Sequence, residues 1–399
     1  MPPLKHAILS PSACSRWGLD EKGNPACTPS ARLEEKLRGI FGDASSPFAE
    51  EGTRAHALAE LKLRHMTGEY NDFTYKAIRA EMEAKKPKIS SAMERATDLY
   101  VDIVMGKLFE AQQVCEDAKL LIEERFDLTQ WVPECFGTGD VVIVSDATLE
   151  VVDYKNGSGV KVDAAGNQQM RLYGLGGLAA YGDLYGFTHV KCTIVQPNID
   201  NISEEVLTRE ELLAWGEKLK PAAELAWKGK GEFRPGDRCR FCKAKALCAA
   251  RAAEAMRGFT HGFATPGLID DAEIPGILAV ADIAEAWIKD VRQYARSQAL
   301  RGQTWPGYKL VRGRKGNRTW TDEEKVLEQL TRAGLPEEQY LKQGVKSPGD
   351  IEKALGKTAF EALLKQFVTQ PDGALNLVPE DDKRVEYSSA DADFSDLES

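Results

Sequence analysis

The chain has 399 residues, 43% of them hydrophobic and 29% charged, a length that fits about two domains and a balance typical of folded proteins. No stretch of about 18 apolar residues occurs, which excludes a membrane-spanning helix; the first ten residues carry no secretory signal pattern, so a reducing, cytoplasmic compartment is expected. Net charge is −10, of which −6 falls in residues 380–399 with their eight acids and two bases; this excludes a broad basic binding face but leaves room for a local groove built on carboxylates and a cation.

In chain order, the segment to about Asp43 reads as turn-rich. A helix is expected over Pro47–Met66, with Ser46 as its cap and Pro47 in its first turn, and a longer one over Ile89–Cys115. The period then becomes strand-like: Leu120–Leu128, Gly137–Val144 and Leu149–Tyr154 read as three short strands, with Glu150 at a turn. Asn167–Tyr181 has a helical pattern weakened by Gly174, Gly176 and Gly177. His189–Gln196 is a strand stopped by Pro197, and Glu204–Trp227 returns to helix. After a boundary loop over 258–266, Asp270–Leu300 reads as a long amphipathic helix and Tyr308–Trp320 as a β-hairpin turning at Lys315–Gly316–Asn317. Thr321 caps a further helix, with Glu324 completing a capping box, and two short helices end near Phe367. An extended arm from Pro371 leads to an acidic, disordered tail. The expected division is residues 1–257, 266–370 and 371–399.

Chemistry concentrates where two neighbouring strands deliver Asp140, then Asp153 and Lys155. Residues i and i+2 of a strand share a face, so Asp153 and Lys155 lie together with Tyr154 turned away. If the strands form a hairpin, Asp140 reaches the same face. Two carboxylates so close need a cation between them, and their hard oxygens suit Mg²⁺ or Mn²⁺. Such a site polarises a phosphoryl oxygen and acidifies a bound water, while a lysine orients that water or stabilises developing charge. An isolated Asp-x-Lys is more often a solvated pair. Gln169 and Tyr173, four apart on one helix face, and His56 with Glu60, four apart on another, supply the context that an isolated pair lacks.

These residues, in this order, resemble the PD-(D/E)XK nuclease superfamily in its RecB-like branch. The helical Gly-x-x-x-His motif matches Gly52 and His56, Gly-x-x-Asp matches Gly137 and Asp140, Asp-x-Lys matches Asp153 and Lys155, and Gln-x-x-x-Tyr matches Gln169 and Tyr173. Gly139 stands where proline precedes the first aspartate in the superfamily's name. The resemblance implies an α/β, restriction-endonuclease-like core: helix, three strands, helix, strand, with a central mixed sheet flanked by helices. A mainly helical C-terminal region with a β-hairpin is expected after it. The resemblance also implies metal ligation by His56, Asp140, Asp153 and the Tyr154 carbonyl, a water-positioning role for Lys155, and work at the substrate phosphates or in support of Lys155 for Gln169 and Tyr173.

Three of eight cysteines crowd into C-x₂-C-x₅-C spacing: Cys239, Cys242 and Cys248. A four-coordinate site needs a fourth thiolate, and Cys14 is the first choice, with Cys27 its rival. Zn²⁺ and a 4Fe–4S cluster both accept four cysteines. One cysteine before the core and three after it resembles the iron–sulfur members of the RecB-like branch, namely the AddB-type nuclease domain and the CRISPR-adaptation exonucleases. That implies a structural 4Fe–4S cluster on Cys14, Cys239, Cys242 and Cys248, stapling the N-terminus to the end of the core.

Arg234, Arg238, Arg240, Lys243 and Lys245 decorate the cysteine segment. Lys309, Arg312, Arg314, Lys315 and Arg318 decorate the expected hairpin, beside Trp305, Tyr308 and Trp320. Basic residues interleaved with aromatics suit single-stranded or frayed DNA; a solvated hairpin with core aromatics fits equally. The whole layout resembles a family of phage and prophage nucleases. The expected function is therefore a metal-dependent DNA exonuclease processing linear ends in phage replication or recombination, inside a bacterial host. The alternatives are a structure-specific endonuclease and a non-catalytic DNA- or partner-binding protein on a nuclease fold. The acidic tail is a candidate dock for a replication or recombination protein, and no membrane partner is expected.

Overall fold

A computed structural model describes residues 7–41, 47–85, 88–257, 274–340, 345–371, 373–380 and 382–387. The expected Ser46 cap, the 258–266 boundary loop and the acidic tail from Asp391 lie outside these residues. The chain divides into two compact units, 1–283 and 284–399.

The first unit is built on a five-stranded mixed sheet, β1 (Lys119–Asp127), β2 (Phe136–Val144), β3 (Thr148–Tyr154), β4 (His189–Gln196) and β5 (Asn201–Thr208), in that spatial order. β1 pairs antiparallel with β2 and β2 with β3, β3 and β4 are parallel, and β4 and β5 antiparallel. Before the sheet come α1 (Cys14–Trp17), α2 (Ser30–Phe41), α3 (Pro47–Met66), α4 (Asp72–Ala84) and α5 (Ser91–Val114). α6 (Gln168–Tyr181) makes the crossover from β3 to β4, and α7 (Arg209–Lys228) and α8 (Ala249–Arg257) follow β5. The central strands are apolar on both faces because helices cover both. Val142, Val144, Leu149 and Val151 pack on the side of α6 and α7. Val141, Ile143, Val152 and Tyr154 pack on the side of α3 and α5.

Local chemistry sets the helix starts. Asn71, Ser90 and Asn167 each accept a backbone N–H in the first turn of α4, α5 and α6. Thr208 and Glu211 form a reciprocal capping box on α7, which dates that helix from Arg209 rather than Glu204. The residues before it alternate, with Ile202, Glu204 and Val206 exposed, and form the edge strand β5. Glu150 is likewise not at a turn. It is buried on β3, where Thr193 Oγ1 donates to it at 2.7 Å and Lys107 lies 2.8 Å away.

α9 (Ile274–Ala299) spans the division between the units. The second unit contains β6 (Tyr308–Gly313), β7 (Thr319–Trp320), α10 (Glu323–Arg332), α11 (Glu337–Tyr340), α12 (Pro348–Leu355), α13 (Lys357–Leu364), β8 (Val368–Thr369) and β9 (Gly373–Pro379). Its core is Val326, Leu330, Tyr340, Ile351, Phe360 and Leu364. The two strands expected between Tyr308 and Trp320 are present, but β6 pairs with β9 and β7 with β8. Gly316 does not turn the chain back; its N–H donates to Pro371 O at 2.9 Å, and a Cβ there would meet the Pro371 ring at 2.9 Å. The cap of α10 is Asp322, which accepts from Lys325 N, rather than Thr321. No helix among the described residues is long and apolar enough to cross a membrane.

Candidate active site

β2 and β3 stop pairing after Val141 and Val152, and the site sits where they part. Tyr154 N–H donates to Asp140 Oδ2 at 2.7 Å across this gap. Lys155 continues the β3–β4 ladder through its N–H to Val195 O, which fixes Asp153 and Lys155 on the α6 side. Lys155 Nζ lies 2.7 Å from Asp153 Oδ2. Gln169, on the first turn of α6, bridges both: its Oε1 accepts from Lys155 Nζ at 3.4 Å and its Nε2 donates to Asp153 Oδ1 at 3.2 Å. That Nε2 also lies 3.4 Å from Tyr173 Oη. From the opposite side, on α3, His56 Nδ1 approaches Asp140 Oδ1 to 3.3 Å. The six side chains that the motif spacing names thus meet at one place. For Tyr154 the structure adds the backbone N–H contact, and its ring packs against Tyr100 and His56 on the α3/α5 side.

A slip in strand alternation makes this two-sided approach possible. Leu121 packs on the α6 side and Ile122 on the other, yet Glu124 accepts from Tyr181 on α6 and Phe126 lies in the α6-side core. The alternation reverses at Glu123, whose φ of 55° is left-handed, a conformation costing about 1–2 kcal/mol for a non-glycine residue. β2 reverses at the same level. A Cβ on Gly139 would touch Val142 and Phe126, so positions 139 and 142 face one side, which a regular strand forbids. Asp140 is at the reversal, opposite Glu123, between the Ile122–Val141 and Glu124–Gly139 pairs.

The electrostatics follow from burial and neighbours. Burial opposes ionisation of Asp140, but His56, Lys155 and the Tyr154 N–H outweigh it and hold its carboxyl below the usual range. Burial dominates at Asp153, 2% exposed, and with the nearby Asp140 pushes its carboxyl up. Burial also works against charge on Lys155, yet Asp153 and Asp140 hold its ammonium above the ordinary value. Asp153 Oδ2 is buried and ion-paired with the Lys155 ammonium at 2.7 Å. The hard carboxylate oxygens of Asp153, close to those of Asp140, are the kind a divalent cation takes as ligands. Among the described residues no three His, Cys, Asp or Glu side chains form a ready-made cation site.

Two residues that sequence reasoning passed over sit at this site. The Glu123 carboxylate has no hydrogen-bond or ion-pair partner among the described residues, and burial, then Asp140 and Glu60, push it up to about 7. Tyr100 Oη is buried without a partner. Neither carries a sequence signal: one is an acid in a strand, the other an aromatic at a helical core position. Glu60 is committed to Arg64 at 2.8 Å.

In the cysteine segment the structure sets Cys27, rather than Cys14, beside the triplet. Cys27, Cys239, Cys242 and Cys248 border a single pocket, and Cys14 is not among its walls. Cys14 is fully buried, donates to Gln168 Oε1 on α6 at 3.4 Å, and is raised well above the usual thiol value by burial and then Cys135. The short helix α1 turns its sulfur toward the core, whereas the Cys27 loop faces the triplet. Burial raises the Cys27 thiol, and Cys239 and Cys248 are near enough to add to this. The segment is clamped on either side of Cys242: Phe241 O accepts from Arg16 at 3.5 Å and Lys243 N donates to Glu34 at 2.5 Å, while Arg16 and Glu34 pair at 2.6 Å.

Several residues suggested for DNA have structural partners. Arg234 is held by Glu232 and Pro25 O, and Arg318 by Glu352. Trp305 donates to Ala295 O, and Trp320 donates to Lys346 O and packs on Phe360.

Among solved structures, the chain is similar to a protein described as "Putative exonuclease" from Eubacterium rectale, at 14% identity over 67% of this chain and 92% of that one, with a TM-score of 0.32. It is also similar to SSO0001, at 15% identity over 55% of this chain and 94% of that one, with a TM-score of 0.22. A family model described as "Protein of unknown function (DUF2800)" matches residues 6–385, and the chain belongs to that family.

Proposed function

We propose that this chain is a divalent-cation-dependent deoxyribonuclease acting at the ends of linear DNA, as replication or recombination of phage DNA requires. The observation that carries this reading is the buried Asp153 carboxylate, ion-paired with Lys155 at 2.7 Å and bridged to it by Gln169, beside Asp140. His56, Asp140, Asp153 and the Tyr154 carbonyl are the groups that would hold Mg²⁺ or Mn²⁺. Such an ion, when bound, polarises a phosphoryl oxygen and makes its water a stronger acid. Lys155 brings a positive charge to the attacking water and the phosphate. Gln169 keeps Lys155 and Asp153 at fixed spacing through its two contacts. Tyr173 supports Gln169 from the next turn of α6.

A second group, a 4Fe–4S cluster on Cys27, Cys239, Cys242 and Cys248, belongs to the same reading, with Zn²⁺ as the alternative. Zinc draws its sulfurs to about 2.3 Å from one ion. Four cysteines bordering one pocket supply the four thiolates that either group needs, and the C-x₂-C-x₅-C spacing of three of them supports the cluster.

The test uses linear and circular, single- and double-stranded DNA labelled at each end, with Mn²⁺. Linear DNA should be degraded, and a chelator should stop the reaction. Asp153→Ala and Lys155→Ala should each lower the rate by about 100-fold or more. Unchanged rates in both variants overturn the proposal.

A further inference from the structure

The cysteine pocket holds two polar groups that its four thiols do not explain. Arg16 is only 9% exposed; its Nη2 pairs with Glu34 at 2.6 Å and its Nη1 reaches Phe241 O at 3.5 Å. Its third donor, Nε, is buried without a hydrogen-bond partner. Arg238 stands one residue before Cys239, and its Nη1 is also buried without a partner. Both arginines line the pocket that Cys27, Cys239, Cys242 and Cys248 border.

Orphaned buried donors are rare, and each costs about 1–3 kcal/mol, more when charged. Two in one pocket call for an acceptor there. A neutral thiol is a weak acceptor. Metal-bound sulfur is a better one, because it keeps negative charge. A cluster of four irons, four sulfides and four cysteinyl sulfurs is dianionic in its usual oxidised state, and it presents sulfide as well as thiolate acceptors. A positive N–H donor beside it favours the more negative, reduced state and so raises the reduction potential.

We infer that Arg16 Nε and Arg238 Nη1 donate hydrogen bonds to sulfur atoms of an iron–sulfur cluster held by Cys27, Cys239, Cys242 and Cys248, and so set its potential. This rests on the iron–sulfur assignment above but not on the nuclease chemistry. The two arginines differ in their other duties. Arg16 also clamps the cysteine segment through Glu34 and Phe241, so its loss would loosen the fold. Arg238 Nη1 has no competing partner. They are positioning residues for the cluster, with no contact to the Asp140–Asp153 centre.

The full chain, purified without oxygen, is analysed for iron, sulfide and zinc, and its midpoint potential is measured by mediated titration followed by absorbance and electron paramagnetic resonance. Arg16→Lys keeps the charge that Glu34 needs while removing the Nε–H; Arg238→Gln removes the other donor. Both variants should retain wild-type iron content and circular dichroism, with midpoints shifted to more negative values and a larger shift in the double variant. Unchanged midpoints in iron-replete variants overturn the inference, as would loss of folding with no change of potential in the variants that remain soluble. Stoichiometric zinc without iron in the wild-type chain overturns both the cluster and the inference while leaving the nuclease proposal standing. Loss of DNA cleavage in Asp153→Ala with an unaltered cluster spectrum keeps the two sites distinguishable.

Discussion

Glu123 departs furthest from what its residue type prefers. Glutamate does not favour a φ of 55°, and a strand does not favour reversing its faces. The strain persists because Ile122 and Phe126 must each reach an apolar layer on opposite sides of the sheet. Glycine tolerates left-handed backbone and alanine does not. Glu123→Gly should therefore be more stable than Glu123→Ala by about 1 kcal/mol, as read from urea denaturation of the two proteins. Equal stabilities would mean that the strand relaxes its reversal when the carboxylate is gone. Nothing in the sequence marks this position. By contrast, Asp153, Lys155, Gln169 and Tyr173 are legible because their relations are local: two residues along a strand, four along a helix.

At the scale of elements, α6 shows how a local rule misleads. Its glycines read as helix weakeners, each costing about 1 kcal/mol relative to alanine, yet the helix forms from Gln168 to Tyr181. They are there for contact distance. A Cβ on Gly176 would lie 2.5 Å from Phe126 Cβ, and one on Gly177 would lie 2.5 Å from Leu149 Cδ2. Small residues let α6 sit close enough to the sheet for Gln169 to reach Asp153 and Lys155. Gly176→Ala should accordingly destabilise the protein by about 1–3 kcal/mol through overpacking, despite its better helix propensity, and thermal denaturation would register this as a lower Tm. A raised Tm would show that propensity outweighs packing there. The strands of the second unit carry the same lesson, since β6 and β7 have the alternation of a hairpin but find partners near the end of the chain.

Across the whole molecule, charge and sulfur tie distant segments together. Lys107 on α5, Glu150 on β3, Lys191 on β4 and Glu204 on β5 form one network over the α5 side of the sheet. Burial opposes ionisation of Glu204, but hydrogen bonds from Lys107 and Lys191 outweigh it and lower its carboxyl below the usual value. Its contribution is therefore present above the ordinary carboxylate range and is lost as pH falls through the depressed value. Glu204→Gln should flatten the acid limb of stability against pH by less than about 1 kcal/mol, since the group is partly exposed. A limb of unchanged slope would remove Glu204 from the acid response. The cysteine pocket joins the loop before α2 to the segment after α7. Cys27→Ser should lose iron and lower the Tm, whereas Cys14→Ser should keep its iron; the reverse pattern, read by metal analysis, would restore Cys14 as the fourth ligand.

By itself the sequence determined the order of elements in the sheet's core, the spacing of the carboxylate–lysine residues and the grouping of three cysteines, because periodicity and spacing are short-range. Tertiary structure decided which loop cysteine faces the triplet, which segment closes the sheet as β5, where β6 and β7 pair, and how a reversal at Glu123 and Asp140 lets His56 and the Tyr154 N–H both reach Asp140. Those outcomes depend on contacts between residues far apart in the chain. Their energies come from shared burial and close approach, which no local pattern encodes.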